Sequence, residues 1–254
     1  GSRLQPLSTP EKPKPFLSLF SDLSMFQETL LRVRAARSPA ILCNHQHIEL
    51  VRRDLDGVHM TADVIVLEPL SRNTAPAAAL IARYYQNKGR DEILLFLPSD
   101  HKIGKPDVFH AALDKAFPLA EAGSFVLFGE KPTTPDTGYG YIKTHRDSLN
   151  IAFFHEKPPV EKAAEYIHQG CYWNTGIIMV RTSVLIEAFR ANSAQIWNIV
   201  MSLSLPVPEK ETFECLPDIS IDYALLEALP NKKLLPVCME WADIGTIDRL
   251  KALA

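Results

Sequence analysis

Two aspartates far apart in the chain follow segments with the pattern of strands. Asp100 comes directly after ILLFLPS, and Asp243 follows LLPVCMEWA. In an open α/β sheet, ligands bind beyond the carboxyl ends of the strands, so residues just after a strand are candidates for chemistry. Two carboxylates at such positions can hold Mg²⁺, which proteins usually bind through one or two carboxylates together with substrate phosphates. Each aspartate can equally be a helix cap or a turn residue.

Other polar residues follow further strands of the chain. Glu156 and Lys157 place an acceptor beside a cation, as binding of a sugar phosphate requires, although a surface ion pair has the same pattern. Asn174 can both donate and accept hydrogen bonds toward hydroxyl groups. The turn TGYGY, with Tyr139 and Gly140, can pass against a ligand or be an ordinary hairpin turn.

The segments that carry these residues alternate between strand and helix patterns. A capping box from Ser24 to Gln27 predicts the start of a helix. NTAPAAALIARYYQNKG predicts a second helix with a polar cap and a terminal glycine. Continuous apolar runs such as EILLFLPSD and SFVLFGE predict buried strands. Strands that alternate with helices indicate an α/β doubly wound fold, with a mostly parallel central sheet and helices on both faces.

The pattern changes after about residue 138. GYGYIKTH and NIAFFHEKP have the pattern of a hairpin, and a short helix and the strand WNTGIIMV follow. We predict that this second half forms a smaller lid over the edge of the sheet. With 254 residues, 46% of them hydrophobic, the chain is long enough to form one large domain.

Charge and cysteine content exclude several classes of partner. The formal net charge is −3 with both signs interspersed, so the chain has no global basic field for nucleic acid or an anionic membrane. No apolar run approaches the ~20 residues of a membrane span. The four cysteines form no CxxC pair, and we interpret them as reduced core residues of a cytoplasmic protein. They are Cys43, Cys171, Cys215 and Cys238.

Eight short segments follow one another in a characteristic order. They are GSRLQPLS with PKPF, EPLSRNTAPA, LPSDHKI, TGYGYI, EKP, WNTGI, SIDYALLE and WADIGT. Together they cover nearly the whole chain and resemble the mannose-1-phosphate guanylyltransferases, also called GDP-mannose pyrophosphorylases. The resemblance implies a Rossmann-like nucleotidyltransferase fold. It also implies that GTP and mannose 1-phosphate react to GDP-mannose and pyrophosphate, with Mg²⁺ as cofactor.

The resemblance also implies roles for the candidate residues within a single domain over 1–254. Its nucleotide-binding half is 1–137 and its sugar-phosphate-binding half is 138–254. The implied catalytic residues are Arg3, from a glycine-rich phosphate loop, and Lys14, from a Pro-Lys motif. The implied nucleotide-binding residues are Gly1, Ser2, Glu68, Pro69, Asn73, Thr74 and Ser99. The implied sugar-phosphate-binding residues are Tyr139, Gly140, Glu156, Lys157 and Asn174, and the implied metal ligands are Asp100 and Asp243.

Several residues keep a structural alternative or depart from the family pattern. Asn73 or Thr74 can simply cap a helix. His101 is expected to support the metal ligands from a second layer, whereas His45 and His47 are expected to be solvated residues at a helix start. Two positions differ from residues common in the family, since Gln5 stands where tryptophan is common and Pro15 where glutamine is common.

The chain begins inside a segment that resembles a phosphate loop. The family has a strand and further glycines before the residues that correspond to GSRL. A doubly wound sheet without its first, central strand would leave backbone groups unpaired. We therefore expect a strand and at least one more glycine before Gly1 in the complete polypeptide.

Two other functions stay open at the level of sequence. One is nucleotidyl transfer that uses another sugar 1-phosphate, or a nucleoside triphosphate with another base, as in thymidylyl- or uridylyltransferases. The segment SRNTAPA favours guanine. The other is a catalytically silent regulatory subunit that binds a sugar nucleotide, against which the presence of both Asp100 and Asp243 argues. The expected partners are GTP, mannose 1-phosphate, GDP-mannose and pyrophosphate, with assembly into a homodimer left open.

Overall fold

A computed structural model describes residues 6–253, so the predicted roles of Gly1, Ser2 and Arg3 lie outside the described residues. The strands are β1 Ala40–Asn44, β2 Val64–Glu68, β3 Ile93–Phe96, β4 His101–Ile103, β5 Phe125–Glu130, β6 Tyr141–Thr144, β7 Ile151–His155, β8 Tyr172–Arg181, β9 Lys232–Val237 and β10 Trp241–Asp243. The helices are α1 Met25–Arg32, α2 Ile48–Gly57, α3 Thr74–Asn87, α4 Pro106–Glu121, α5 Val160–His168, α6 Thr182–Asn192, α7 Ala194–Ser202, α8 Lys210–Phe213 and α9 Ile247–Leu253. Strands and helices alternate through the first half as predicted.

The strand β8 is the centre of a six-stranded sheet. One edge of β8 pairs with β5, and β5 pairs in turn with β9. The other edge pairs with β6 near Trp173 and with β3 near Met179. Because β8 comes from the second half of the chain and β3 and β5 from the first, both halves contribute to one sheet. The hairpin of β6 and β7, expected over the edge, continues the sheet at that edge.

The pairing directions show a mixed sheet, so the expectation of a mostly parallel central sheet is wrong, because β8 lies antiparallel between its neighbours. The ladder of β5 with β9 is parallel, whereas β8 is antiparallel to each of its partners. Consequently β3, β5, β6 and β9 run in one direction, and β7 and β8 run in the other. Two smaller ladders complete the described part of the fold: β1 is parallel to β2, and β4 is antiparallel to β10.

Alternation of side chains along the central strands builds two cores. In β5, Phe125 and Leu127 point to one face, where α3, α6 and α7 pack. Val126 and Phe128 point to the other face, where α4 packs. This is the period of two that a strand imposes on its side chains. Burial of each such large apolar side chain contributes about 1.5–3 kcal/mol, so the two-sided sheet is the main source of stability.

A third apolar cluster holds the first helices against β1. It includes Phe16, Phe26 and Ile41. The predicted capping box is confirmed, since the Ser24 hydroxyl accepts from the backbone N–H of Gln27 and the Gln27 side chain accepts from the N–H of Ser24.

The interpretation of all four cysteines as core residues is wrong. Cys171 is buried and Cys43 is partly buried, but Cys215 and Cys238 are exposed. The latter two lie outside the alternating core positions of strands and helices. Within residues 6–253, no helix combines the length and apolar character needed to cross a membrane.

Candidate active site

The two predicted metal ligands lie around one lysine. The ammonium of Lys14 is 2.8 Å from Oδ1 of Asp243 and 3.1 Å from Oδ2 of Asp100. Lys14 begins a short 3₁₀ helix whose Phe16 is buried in the cluster against β1. This anchor directs the lysine side chain, which is 8% exposed, toward the two carboxylates. Lys14 therefore joins both carboxylates in one charged cluster. We call Asp100 and Asp243 the carboxylate pair.

The antiparallel ladder of β4 and β10 positions Asp243. The expectation that LLPVCMEW is one strand is wrong, because β9 ends at Val237 and a separate β10 carries Asp243. Asp243 is paired with His101 across this ladder, and Asp100 immediately precedes β4. The ladder thus brings together two aspartates that are distant in sequence.

His101 lies between the two carboxylates. Its Nε2 is 3.8 Å from Oδ1 of each aspartate, which is too long for a hydrogen bond. The indole N–H of Trp241 donates to His101 Nδ1 at 3.1 Å, which places the proton of a neutral ring on Nε2. Burial lowers the pKa of His101 and outweighs the raising effect of Asp100 and Asp243. A neutral imidazole thus lines the carboxylate pair.

Asp243 is held in its ionised form. Burial raises its pKa, but His101 when protonated, Lys14 and Arg249 lower it, and the net shift is downward. We attribute this shift to the permanent cations Lys14 and Arg249, because burial keeps His101 neutral. The Tyr139 hydroxyl also donates to the main-chain oxygen of Asp243 at 3.2 Å. Tyr139, predicted for the sugar phosphate, therefore lies beside Asp243, a predicted metal ligand.

A polar cleft of about 340 Å³ contains four of the other candidates, Asn73, Thr74, Glu156 and Lys157. Its lining residues are Asn73, Thr74, Glu156, Lys157, Asp218, Ile219, Ser220, Asp222 and Tyr223. The predicted pair of Glu156 and Lys157 is an ion pair with 2.9 Å between Oε1 and Nζ. Lys157 has a φ of +49°, an uncommon conformation for a residue with a side chain, which brings a local strain of about 1–3 kcal/mol.

The cleft groups residues that the sequence analysis had separated. Asn73 and Thr74, predicted for the base, share the cleft with Glu156 and Lys157, predicted for the sugar phosphate. Asn73 caps α3 with a φ of +65°, and its side chain accepts from the N–H of Thr74. The Thr74 hydroxyl accepts from the N–H of Ile221 at 2.9 Å, which fastens the segment with Ser220 to the helix start. Both the capping role and the lining role are therefore present.

Gly140 and Asn174 connect the cleft to the central strand β8. The N–H of Asn174 donates to the carbonyl of Gly140 at 2.8 Å. A Cβ at Gly140 would overlap Oε2 of Glu156, so only glycine allows this close approach. Two residues further along, Gly176 has a φ of +71° and packs against Pro98 and His101. The cleft and the carboxylate pair are thus connected through one short piece of β8.

Glu68 lies at the end of β2, outside the cleft's lining residues, with Pro69 following it. One carboxylate oxygen, Oε1, is buried without a hydrogen-bond partner among the described residues. Burial raises the pKa of Glu68 to about 7. Burial, and then the charge of Glu68, raise the pKa of the neighbouring Cys43 to about 11. Glu68 is thus a partly buried acid whose raised pKa lies close to neutral pH.

The last predicted residue, Ser99, lines a second cavity of about 230 Å³. Its other lining residues come from the segment around Lys14 and from α1, β1 and α2, and they include Phe16, Phe26, Asn44 and His47. Ser99 therefore lies apart from Asn73 and Thr74. His47 donates through its Nε2–H to the Pro10 carbonyl at 2.9 Å, and His45 is exposed.

Sequence reasoning missed four polar or aromatic residues of the cleft: Asp218, Ser220, Asp222 and Tyr223. Three of them, Ser220, Asp222 and Tyr223, belong to the segment SIDYALLE, which contributed to the family resemblance but received no role, and Asp218 lies two residues before it. Its apolar residues signalled only a helix. The structure adds a further signal, because the short π-helical turn Asp222–Leu226 begins in this segment and such turns often occur at functional sites.

Comparisons with known proteins agree with the fold. A family model described as nucleotidyl transferase matches residues 1–254. The alginate biosynthesis protein AlgA of Pseudomonas putida is 38% identical over 263 residues, which cover 96% of this chain and 54% of that protein. The mannose-1-phosphate guanylyltransferase of Escherichia coli K12 is 36% identical over 271 residues, which cover 98% and 57%. A crystal structure from Thermus thermophilus, described as a mannose-1-phosphate geranyltransferase, matches with a TM-score of 0.86 and 31% identity, covering 98% and 76%.

The chain belongs to the nucleotidyl transferase family. The predicted α/β nucleotidyltransferase fold, with helices on both faces of the sheet, is confirmed by the match to a solved structure. The chain spans about half the length of the curated relatives it matches, which is 54% of AlgA and 57% of the guanylyltransferase.

Proposed function

We propose that the protein transfers GMP from GTP to mannose 1-phosphate and releases pyrophosphate. The observation that carries this proposal is the convergence of Asp100 and Asp243 on Lys14 beside a polar cleft. Carboxylates and a cation are the groups that a phosphoryl transfer between two anions needs. The names of the guanylyltransferase relatives and membership of the nucleotidyl transferase family support the substrates GTP and mannose 1-phosphate.

The carboxylate pair fits a divalent cation. Oxygens of both side chains converge on one ammonium nitrogen, so they lie close enough to share a single cation in its place. Among the described residues no cluster of three or more histidine, cysteine or acidic side chains forms a closed metal site. We propose that Asp100 and Asp243 hold Mg²⁺, which prefers few protein carboxylates together with substrate phosphates. When bound, Mg²⁺ stabilises the charge that develops on phosphoryl oxygens.

The residues of the chain position the reactants and neutralise their charge. An oxygen of the sugar phosphate attacks the α-phosphorus in line, and pyrophosphate leaves on the opposite side, so no nucleophilic side chain is required. We propose that Lys14 supplies a point charge to the reacting phosphates. Arg3 is proposed to bind the leaving pyrophosphate through its planar guanidinium, with Gly1 and Ser2 in the same loop.

We propose separate places for the sugar and the base. Glu156, Lys157, Gly140 and Asn174 surround the sugar phosphate, and Tyr139 supports the metal ligand beside it. Because Asn73 and Thr74 line the same cleft, we now assign them to its sugar-phosphate side. Glu68 with Pro69, and Ser99 in the second cavity, remain the residues proposed for guanine.

One assay tests the proposed function. Purified protein is incubated with each pairing of GTP, ATP, UTP or dTTP with mannose 1-phosphate, glucose 1-phosphate or N-acetylglucosamine 1-phosphate, and pyrophosphate release is measured. We expect the fastest release with GTP and mannose 1-phosphate, and loss of activity on chelation of divalent cations. Equal use of UTP or dTTP would overturn the guanylyl assignment, and binding of GDP-mannose without any release would instead indicate a regulatory subunit.

The cellular setting is a proposal of the same kind. The cysteines of the described residues are all free thiols, which suits a reducing compartment. We propose a cytoplasmic protein whose partners are these small molecules. Gel filtration at several concentrations tests whether it forms a homodimer.

A further inference from the structure

Asp222 occupies a rigid and unusual position in the polar cleft. It begins the π-helical turn Asp222–Leu226, whose Leu225 and Leu226 are fully buried in the main core. π-helical turns are rare and often occur at functional sites. The buried leucines fix the backbone, so the carboxylate at the start of the turn has a defined place in the cleft. This position does not depend on a flexible loop.

Asn174 holds the Asp222 carboxylate. The Asn174 amide donates from Nδ2 to Oδ1 of Asp222 at 2.8 Å, and its own oxygen accepts from the N–H of Gly176 at 3.1 Å. One of its two N–H donors and its oxygen are therefore used inside the protein. Asn174 is buried to 9% exposure, and its main chain is anchored to Gly140. This arrangement is typical of a residue that positions another, here Asp222. Asn174 binds Oδ1 of Asp222 and does not contact the second carboxylate oxygen.

A second carboxylate, that of Glu156, shares the cleft with Asp222. Its side chain is 10% exposed, and one oxygen is bound by Lys157. The two acids interact, since burial and then the charge of Glu156 raise the pKa of Asp222. Two partly buried like charges with one nearby cation are unfavourable unless donors approach them. Ser220, the N–H of Asp222 and Asn174 supply three donors to Asp222, and its two oxygens have about four acceptor sites, so room for a further donor remains. Neighbouring hydroxyl groups on a sugar ring are donors of the required kind, because each carboxylate oxygen can only accept.

We propose that Asp222 is a specificity-determining residue that accepts a hydrogen bond from a ring hydroxyl of the sugar, with Asn174 as its positioning residue. This inference rests on the proposed function, since it names the group that recognises the sugar in the same site. It changes the role of Asn174 from direct reader of hydroxyls to support for the reader.

The test compares Asp222→Asn with wild type. The amide is isosteric and can still accept from Asn174, so the fold and the turn are retained while an ionised acceptor is lost. We expect a ten- to hundredfold rise in the KM for mannose 1-phosphate, as for loss of a hydrogen bond to a charged group, with the KM for GTP changed less than twofold. Asp114→Asn, on the exposed side of α4, is the matched control and is expected to change neither value.

Monodeoxy analogues of mannose 1-phosphate identify the hydroxyl that is bound. Wild type should discriminate strongly against one analogue, and Asp222→Asn should use that analogue and the parent sugar about equally. Direct binding gives a readout independent of turnover: Asp222→Asn should weaken GDP-mannose binding but leave GDP binding unchanged. Asn174→Ala should produce the same pattern in weaker form.

The outcomes separate this inference from the proposed function. If wild type releases pyrophosphate with mannose 1-phosphate, but Asp222→Asn retains its KM and its full discrimination among the deoxy analogues, the role of Asp222 is overturned. If wild type instead prefers another sugar 1-phosphate, the proposed function fails. The same comparison of variant and wild type, made with that sugar and its deoxy analogues, then supports or overturns the role of Asp222.

Discussion

Lys14 donates a hydrogen bond of 2.8 Å from Nζ to Oδ1 of Asp243, a residue 229 positions away in the chain. The same ammonium contacts Asp100 at 3.1 Å, so both carboxylates share one buried cation. In a partly buried site such a contact is screened less than on the surface. A divalent cation that enters this place must compete with the lysine.

Lys14→Met is therefore expected to tighten binding of a divalent cation to the protein without nucleotide. The methionine removes the competing charge and leaves two carboxylates that repel each other. We expect at least a several-fold lower Kd for Mn²⁺, measured by calorimetry or by electron paramagnetic resonance. Turnover should fall because the phosphates lose a point charge. Lys12→Met, at an exposed position two residues away, serves as control; unchanged or weaker Mn²⁺ binding in Lys14→Met would contradict the competition.

Asp100→Asn and Asp243→Asn should each reduce turnover by on the order of 100-fold or more. Metal stabilisation of transition-state charge is worth several kcal/mol, and each ~1.4 kcal/mol is a factor of ten in rate. Both side chains are about one-third exposed, at 33% and 35%, so the folded state should persist. Initial rates over a magnesium titration, with circular dichroism to check folding, measure the effect. Near-normal turnover of Asp243→Asn at limiting magnesium would exclude it as a ligand.

Glu68→Gln should stabilise the protein at alkaline pH. The pKa of this carboxyl is about 7 in the folded chain, above its ordinary value of 4.5, so the folded state binds the proton more tightly than the unfolded state. The protonated acid therefore makes its whole contribution to the free energy of unfolding below pH 4.5, and this contribution is lost as the pH rises through 7. The amide avoids this loss, which is on the order of 2–3 kcal/mol by the size of the shift.

Urea unfolding at pH 5 and pH 8 measures this difference for wild type and Glu68→Gln. The variant should gain stability relative to wild type at pH 8 and gain much less at pH 5. Glu187→Gln, an exposed position on α6, is the control and should show no such dependence. An equal effect at both pH values would show that burial does not govern the titration of Glu68.

Glu68 and Asn73 should affect different substrates. The loss of a base acceptor in Glu68→Ala is expected to reduce the preference for GTP over ATP and UTP, because guanine offers N1–H and an exocyclic amine as donors. Asn73→Gly removes a side chain of the cleft while glycine tolerates the φ of +65°. It should raise the KM for the sugar phosphate and leave the base preference intact. Initial rates with GTP, ATP and UTP test both predictions. A changed base preference in Asn73→Gly would indicate that Asn73 binds the base.

Gly140→Ala should weaken binding of the sugar phosphate. The added Cβ would overlap Oε2 of Glu156 and approach Cζ of Phe154 to 3.2 Å, so the Glu156 carboxylate must move. We expect a higher KM for the sugar phosphate with an unchanged KM for GTP, together with a lower Tm. An unchanged KM for the sugar phosphate would mean that Glu156 does not position it.

Local structure could be predicted from sequence because it depends on near neighbours in the chain. The Ser24 capping box, the helix after Asn73 and the alternating strand β5 all appear where their patterns indicate. Each rests on interactions within a few residues, where the backbone's period of 3.6 or 2.0 determines which side chains share a face. The grouping of Asp100, Asp243 and Lys14 was also expected, through the family resemblance of their motifs.

The partners of each element could not be predicted in the same way. The pattern of WNTGIIMV indicates a strand, yet it does not specify that β8 runs antiparallel between β3 and β5. Likewise, nothing near Asn73 shows that it shares a cleft with Glu156, and the apolar residues of SIDYALLE conceal the role proposed for Asp222. The two exposed cysteines, Cys215 and Cys238, show the same limit, since residue type alone does not determine burial.

The α/β class, most helices and strands, and the chemical groups available at their ends thus follow from patterns along the chain. Which of these groups meet depends on tertiary contacts. Asp243 reaches Asp100 through the ladder of β10 with β4, and Asn174 reaches Asp222 across 48 positions of the chain. The physical reason is that such contacts depend on strand pairing and core packing summed over the whole chain, whereas the periodicity of side chains reports only the local backbone.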